Sequence, residues 1–513
     1  MTANGNSMNP ADIQMDAASL LDHCRRRGIN LHVKNDELSY RAAKGSMTEE
    51  IMAAIRIRKN DVMEHLARLD GPRFRVTATS ANRAPLFNRF LWKDYSNRLM
   101  DVSGANTPHI VKRCAGEMLT DALLKSIEIL LEHHDVLNSS IEIAEGNLYL
   151  VRNTPKTVAF HEVMVAAGMD IERESEGYRI ANDLVWKEYD LDNGPLYRVF
   201  IIRLSAVEYI LGVALHHAIG DLISIGVMFH ELLSIYSSVV NGTALLVSPP
   251  RLRYMDYLAS MEAWSAGAAC DEYIRYWKYK LQSTPVPDLR PEGKRSLNTA
   301  LSGSTAETKL RLDASASRGL KKIAVQLKTT LFVVLLSIYK IAIRRMTRQD
   351  EPVVVALHAG RPDAGFQNAI GDFAMEVAYK TCLAGNPDLS EVVRRVTLVM
   401  NEAHLHQPVP LDWVRLALAE EGISFYAPGI NFISGHASYV HNSLEPRQLS
   451  FTPPGAKHGC HGFQVSCAME LRDGSSDIDG SMMYRNDLYD ESVMHAFTNC
   501  FMETVSDVVR NTE

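Results

Sequence analysis

The chain has 513 residues, 46% of them hydrophobic, and its 54 basic against 61 acidic residues give a formal net charge of −7. That length exceeds one ordinary core and predicts about two or three folding units, and the acidic balance argues against a nucleic-acid binder. Seven scattered cysteines, with only Cys460 and Cys467 close together, a polar Met1–Asn9 and a longest apolar run of only Leu331–Ile338 argue against a disulfide framework, a signal peptide and a membrane span, and so for a reducing cytoplasm.

Residues 11–27 read as a helix with Ile13, Ala17, Leu20, Leu21 and Cys24 on one face, and Gly28 can cap it. A hairpin pattern comes next, Asn30–Lys34 and Glu37–Arg41 around Asn35-Asp36. Thr48-Glu49-Glu50 opens a second helix expected to run to about Arg68. Sixty residues of this kind make a marginal core, suited to docking rather than catalysis. Residues 71–80 form a connector, where Gly71-Pro72 loosens the coupling between this small unit and the body of the chain. The body alternates helical and strand patterns. Leu119 to Leu131 follows helical spacing, Tyr197–Leu204 and Tyr209–Leu215 read as buried strands, and Leu222 to Tyr236 is helical again up to Asn241-Gly242. A polar stretch from Pro285 to Thr308 suggests a crossover loop or lobe boundary. One long helix is expected from Leu320 to Ile341, then strands at Val353–Leu357, Ile430–Ser434 and Gly480–Tyr484, and a last helix from Glu491 to Arg510.

The segment Ala214-Leu215-His216-His217-Ala218-Ile219-Gly220-Asp221 carries the chemistry. A buried-type strand runs into two histidines, and an aspartate stands four positions after the second, just before a helix. Imidazole is the usual general base near neutrality. Adjacent residues leaving a strand point to opposite sides, so one histidine at most faces a given substrate. Asp221 is a natural helix N-cap whether or not it serves catalysis. Adjacent histidines do not converge on one metal, and the spacing of His458, Cys460, His461 and Cys467 is poor for zinc, so no metal is expected.

This segment resembles the H-H-x-x-x-D-G signature of condensation domains from nonribosomal peptide synthetases. The resemblance runs from about Ser80 to the end of the chain. Glu132-His133-His134-Asp135-Val136-Leu137-Asn138-Ser139 is similar to R-H-E-x-L-R-T, and Tyr254-Met255-Asp256-Tyr257 to Y-x-D-[FY]. Gly360-Arg361 with Ile370-Gly371-Asp372-Phe373 resembles G-R…I-G-x-F-V-N-T, and His406-Gln407-Pro408-Val409-Pro410 resembles H-Q-D-[YV]-P. Gly480, Tyr484 and Asp487-Leu488-Tyr489 match the closing G-x-x-x-Y-x-x-D-L-[FY]. Departures are Leu222 for glycine, Met375-Glu376 for Asn-Thr, and a faint opening motif near Arg89-Phe90-Leu91-Trp92. The N-terminal unit, from Leu20-Leu21 through Arg41-Ala42-Ala43-Lys44-Gly45 to the second helix, resembles TubC-type β-hairpin docking domains.

The resemblance implies an α/β (α+β) chloramphenicol-acetyltransferase-like fold of two lobes, residues 80–260 and 261–513, behind a docking domain at 11–70, with the active site in a tunnel between the lobes. It implies no tightly bound cofactor. The acyl substrate arrives on the 4′-phosphopantetheine arm of a separate carrier protein, and the acceptor is a small molecule or carrier-bound. The catalytic candidates are His217, His216 and Asp221, with His217 as general base or positioning group and the other two holding the site. Arg361 is the matching partner of Asp221 across the lobes, and Asn431 is a candidate for placing the acceptor. An edge strand offers a route for capturing a short linear motif at the C-terminus of an upstream subunit, and Lys34, Arg41, Lys44, Arg56, Arg58 and Lys59 would favour an acidic one. With no adenylation or carrier segment in the chain, the expectation is a free-standing cytoplasmic condensation enzyme, with no nucleic-acid or membrane partner, that releases a chain as an ester. The rivals are an amide-forming enzyme, an epimerisation domain, a coenzyme A-dependent acyltransferase and a silent scaffold that only binds a carrier.

Overall fold

The computed structural model describes residues 20, 24, 29–34, 37–41, 47–63, 76, 78–86, 107–144, 147–154, 158–166, 168–284, 289, 305–407, 409–423, 425, 427–434, 465–471, 476–486 and 488–511. The chain divides into two compact units, Met1–Arg75 and Val76–Glu513.

In the first unit, β1 (Asn30–Lys34) and β2 (Glu37–Arg41) pair antiparallel with Asn30 opposite Arg41. These are the bounds that the sequence pattern predicts. Helix α1 (Glu49–Ile57) begins at Thr48, whose hydroxyl accepts the Ile51 N–H at 3.4 Å. Residues 64–68, the end of the expected helix, lie outside the described residues. Arg58 leaves helical geometry, and helical residues resume only at 59–63. The break is a one-residue turn, because the Val62 N–H still reaches the Arg58 carbonyl at 2.8 Å. Leu20, Cys24, Ile29, Leu31, Ile51, Ala54 and Val62 form this unit's core. Leu20 and Cys24 are helical, and the rest of the expected first helix lies outside the described residues.

The second unit builds two lobes of mixed helices and sheets. Its first lobe contains β3 (Arg83–Pro85), β4 (His109–Ala115), α2 (Thr120–His133), β5 (Ser139–Ala144), β6 (Asn147–Arg152), β7 (Phe160–Met164), α3 (Asp170–Trp186), β8 (Tyr197–Arg203), β9 (Glu208–Leu215) and α4 (Leu222–Asn241). Two sheets result, β3-β6-β5 and β4-β9-β8-β7. Strands β8 and β9 are buried on both faces, so they read as unbroken apolar runs rather than alternating ones. Helix α4 has the length and hydropathy of a membrane span, but half of it is buried within the fold, as in a core helix. Gly242 ends it in the left-handed region at φ 62°. Helices α5 (Tyr254–Ser265) and α6 (Ala268–Leu281) lead onward.

The second lobe is built on a six-stranded sheet of order β10-β15-β14-β13-β11-β12. Its elements are β10 (Thr305–Leu312), α7 (Ala314–Gln326), α8 (Leu331–Thr347), β11 (Val353–His358), β12 (Met375–Lys380), α9 (Leu389–His404), α10 (Leu411–Ala419), β13 (Gly429–Ser434), β14 (Val465–Leu471), β15 (Ile478–Arg485) and α11 (Glu491–Arg510). One expectation is corrected here. The single long helix is two, α7 and α8, bent by 107°. Lys328 takes a positive φ of 53°, and Thr330 then caps α8 by accepting the Val333 N–H at 3.3 Å. A Thr-Thr pair ahead of an apolar run favours a helix start over continuation. The polar stretch at Pro285–Thr308 ends in strand, since β10 begins at Thr305.

Candidate functional site

Strand β9 lies between β4 and β8 and delivers His216 at its end, where its N–H bonds to the Leu196 carbonyl at 2.8 Å. A single 3-10 turn, His217–Ile219, comes next. His216 caps that turn, its Nδ1 accepting the Ala218 N–H at 3.2 Å, and its ring meets Tyr189 edge-on at 5.6 Å. Burial, then the neighbouring His217, push its pKa down to about 3. The ring is neutral at ordinary pH, with Nδ1 already occupied.

His217 is placed differently. Its side chain is 26% exposed, and Nδ1 lies 3.4 Å from Oδ2 of Asp372, whose side chain is 6% exposed. Burial lowers its pKa, but Asp372, then Asp221, raise it, and the net direction is upward.

Asp221 is the hub beneath this histidine. As N-cap of α4, its Oδ1 accepts the Ser224 N–H at 2.8 Å. Arg361 grips the same carboxylate with both terminal nitrogens, Nη1 to Oδ2 at 3.0 Å and Nη2 to Oδ1 at 3.2 Å. The Phe373 N–H adds a bond to Oδ2 at 3.1 Å. The Ser224 hydroxyl accepts from Gly371 N–H and from Arg361 Nη2, both at 3.0 Å, and lies 2.7 Å from the Gly371 carbonyl. The guanidinium also lies over the Phe373 ring, 4.6 Å from its centroid. Asp221 and Ser224 come from the first lobe, and Arg361, Gly371 and Phe373 from the second, so this buried ion pair is a clamp between lobes. Gly360 makes the approach possible. Its φ is +60°, and a Cβ there would stand 1.6 Å from the Phe373 carbonyl oxygen.

The other motifs support this frame. Asp256 accepts from the Thr79 N–H at 2.9 Å and from Arg253, which also grips Asp135 at 2.8 Å. Tyr254 and Tyr257 pack against Phe373 at 5.1 and 5.2 Å. His406 stacks on Tyr276 at 3.6 Å. The departures are absorbed too. Leu222 is the first residue of α4, with its side chain 43% exposed. Met375 accepts a contact from the Tyr257 hydroxyl at 3.9 Å, and Glu376 pairs with Arg415 at 2.7 Å.

Asn431 is half-buried in β13 opposite Ala468, and among the described residues no hydrogen bond joins it to the His217 cluster. Arg56 and Lys59 are exposed, and Arg58 pairs with Asp61 at 3.2 Å. Lys34 and Arg41 lie on the hairpin, but their side chains, all of Lys44, the motif near Arg89–Trp92, and His458, Cys460 and His461 lie outside the described residues. Among the described residues no group of three or more His, Cys, Asp or Glu is arranged for a metal. Sequence reasoning gave no role to Asp372 or Ser224. Ser224 had a signal, its spacing of three from an N-cap aspartate. Asp372 lies within the Ile370-Gly371-Asp372-Phe373 motif, and only the fold sets it beside His217.

A two-lobed fold with a histidine at a strand end and an aspartate–arginine clamp beneath it defines a condensation-type member of the acetyltransferase-like class. The chain belongs to the condensation-domain family, whose family model matches residues 98–513, and the TubC N-terminal docking domain model matches residues 18–68. Malpinin synthetase of Mortierella alpina is 25% identical over 437 residues, 84% of this chain and 6% of that protein. The chain thus spans a small fraction of the curated relatives that it matches. Among solved structures, the X-domain in complex with OxyB from teicoplanin biosynthesis superposes with TM-score 0.69 at 19% identity, over 85% of this chain and 95% of that one. A structure on condensation domain-mediated chain release from the enacyloxin polyketide synthase gives 0.68 at 18% identity, over 98% of both chains.

Proposed function

We propose that the protein is an acyltransferase that moves an acyl chain from the phosphopantetheine thioester of a separate carrier protein to a hydroxyl or amine acceptor, releasing a polyketide or hybrid chain as an ester. One observation carries this reading: His217 is partly exposed at the end of β9 with a carboxylate at its Nδ1, above a clamp that locks the lobes together. As general base, His217 takes the acceptor's proton as the acceptor oxygen attacks the thioester carbonyl. The C–O bond forms, the C–S bond breaks, and the same imidazolium returns the proton to the departing thiolate. Asp221 and Arg361 act by holding the two lobes in register, and His216 by shaping the turn that presents His217. The likeness to the enacyloxin chain-release structure supports release as the role, and its coverage extends through the N-terminal unit. That unit docks the upstream subunit by capturing a C-terminal short linear motif on its hairpin edge, with exposed Arg56 and Lys59 favouring an acidic one.

The test is intact-mass analysis of an acyl-loaded carrier mixed with the protein and a panel of alcohols and amines. Acceptor-dependent loss of the acyl group is expected, falling by about 10²- to 10⁴-fold in a folded His217→Ala variant. The product mass separates ester from amide. A silent carrier-binding scaffold is the competing reading, favoured by the comparable TM-score of an X-domain solved in complex with OxyB. Carrier binding without transfer to any acceptor would establish it.

A further inference from the structure

We propose that Asp372 is a positioning residue that orients His217 and adapts it to hydroxyl acceptors, a role that rests on the acyl-transfer reading above. Asp372 sits between two residues whose backbone N–H groups are bonded to the first lobe. Gly371 donates to Ser224 Oγ at 3.0 Å, and Phe373 donates to Asp221 Oδ2 at 3.1 Å. The Asp372 backbone cannot shift without breaking one or both. The clamp therefore fixes a second-lobe carboxylate 3.4 Å from a first-lobe imidazole. That is an ion-pair distance rather than a full hydrogen bond, and contacts of this kind tighten when substrate fills a site.

An anionic oxygen beside Nδ1 keeps the proton on that nitrogen and leaves Nε2 as the basic one. It also stabilises the imidazolium formed when Nε2 takes the acceptor's proton. Asp372 and Asp221, the latter shared with Arg361, raise the His217 pKa, as does a hydrogen bond to its own backbone; the neighbouring His216 is neutral, and Tyr254 and Tyr257 lie within electrostatic reach of Asp372. Asp372 is thus the carboxylate whose charge is directed at the base. The hydroxyl–amine distinction comes from chemistry. A neutral amine is already a competent nucleophile and leans weakly on a base. A hydroxyl needs its proton removed as it attacks, so the carboxylate-backed imidazole matters more.

The test compares the whole protein with Asp372→Asn and Asp372→Glu, using an acyl-loaded carrier and an alcohol and an amine of matched skeleton. The asparagine keeps the shape and removes the charge. Alcohol transfer should fall about 10- to 100-fold in kcat with little change in acceptor KM, amine transfer should fall less, and the glutamate should restore part of the loss. A second readout needs no activity: the pH dependence of diethyl pyrocarbonate modification at His217, read by fragment mass. Its midpoint should move to lower pH in Asp372→Asn. An unmoved midpoint would overturn the proposal, as would a kcat loss without any shift. Equal losses for alcohol and amine would overturn the hydroxyl part. If the unaltered protein transfers nothing, the acyl-transfer reading fails, while the modification midpoint still decides whether Asp372 governs His217.

Discussion

Asp221 and Asp372 are acids with nearly buried side chains beside the same histidine, one from each lobe, and their surroundings separate them. Asp221 takes backbone donors from Ser224 and Phe373 and both terminal nitrogens of Arg361. Its charge is consumed in holding the lobes together. Asp372 forms its ion pair with His217 itself. The first-lobe acid is bonded across the lobe junction, and the second-lobe acid stands against the imidazole. The two histidines divide in the same way. His216 caps a turn with its Nδ1 and is buried, whereas His217 is partly exposed and paired with a carboxylate.

The sharpest way to break the comparison is Asp221→Ala. It leaves the Arg361 guanidinium, 9% exposed, without its carboxylate. We expect a loss of about 3–5 kcal/mol of unfolding free energy by chemical denaturation. Asp372→Asn should cost less than about 1 kcal/mol in the same measurement. Comparable losses for the two would erase the distinction between clamp and modulator.

A pH experiment sharpens the histidine half. The folded pKa of His216 lies near 3, against 6.5 for an unhindered histidine. Between those values the unfolded chain binds a proton that the folded chain refuses. Stability from this group is therefore full above about pH 6.5 and is lost as pH falls toward 3. His216→Asn should flatten this acid slope in denaturation midpoints measured from about pH 7 to about pH 4. His217 has the opposite sign, with a raised pKa. Its transfer activity should fall as pH drops through a midpoint above the usual histidine value. The smallest effect belongs to the docking unit. Reversing both Arg56 and Lys59 to glutamate should weaken carrier binding about threefold to tenfold, less at high salt, without changing transfer at saturating carrier. Unchanged affinity by titration calorimetry would remove these two charges from the docking reading.

Much of this was legible in the sequence because it rests on local rules. The hairpin strands at 30–34 and 37–41 follow from alternation and turn residues. Strands β8 and β9 show as apolar runs between polar breaks. Helix α4 is marked at both ends, by Asp221 and by Gly242, and α11 by its long apolar stripe. The family motifs lie in chain order and brought His217, Asp221 and Arg361 to attention together. The α7–α8 bend is harder to read, because Thr329-Thr330 sits inside an apolar pattern that otherwise continues at helical spacing. The α7–α8 bend needed Lys328 at positive φ, a conformation that its residue type disfavours.

By itself, the sequence determined the family, the two-lobed fold, the docking unit and the histidine at the strand end. The first three follow from the resemblance of several motifs in chain order to known families, and the last from a buried-type strand that runs into His216-His217, a signal that acts over a few residues. Tertiary structure decided what each acid meets. Asp221 and Asp372 are 151 positions apart (372 − 221), and no local pattern states that one is saturated by donors while the other is set against an imidazole. That assignment depends on the lobes meeting through Gly360, Arg361 and Phe373. Lys340 makes the same point. It is fully buried in α8, with its ammonium donating to the Pro352 and Tyr379 carbonyls. Only chain segments brought together by folding can satisfy a charge in such a place.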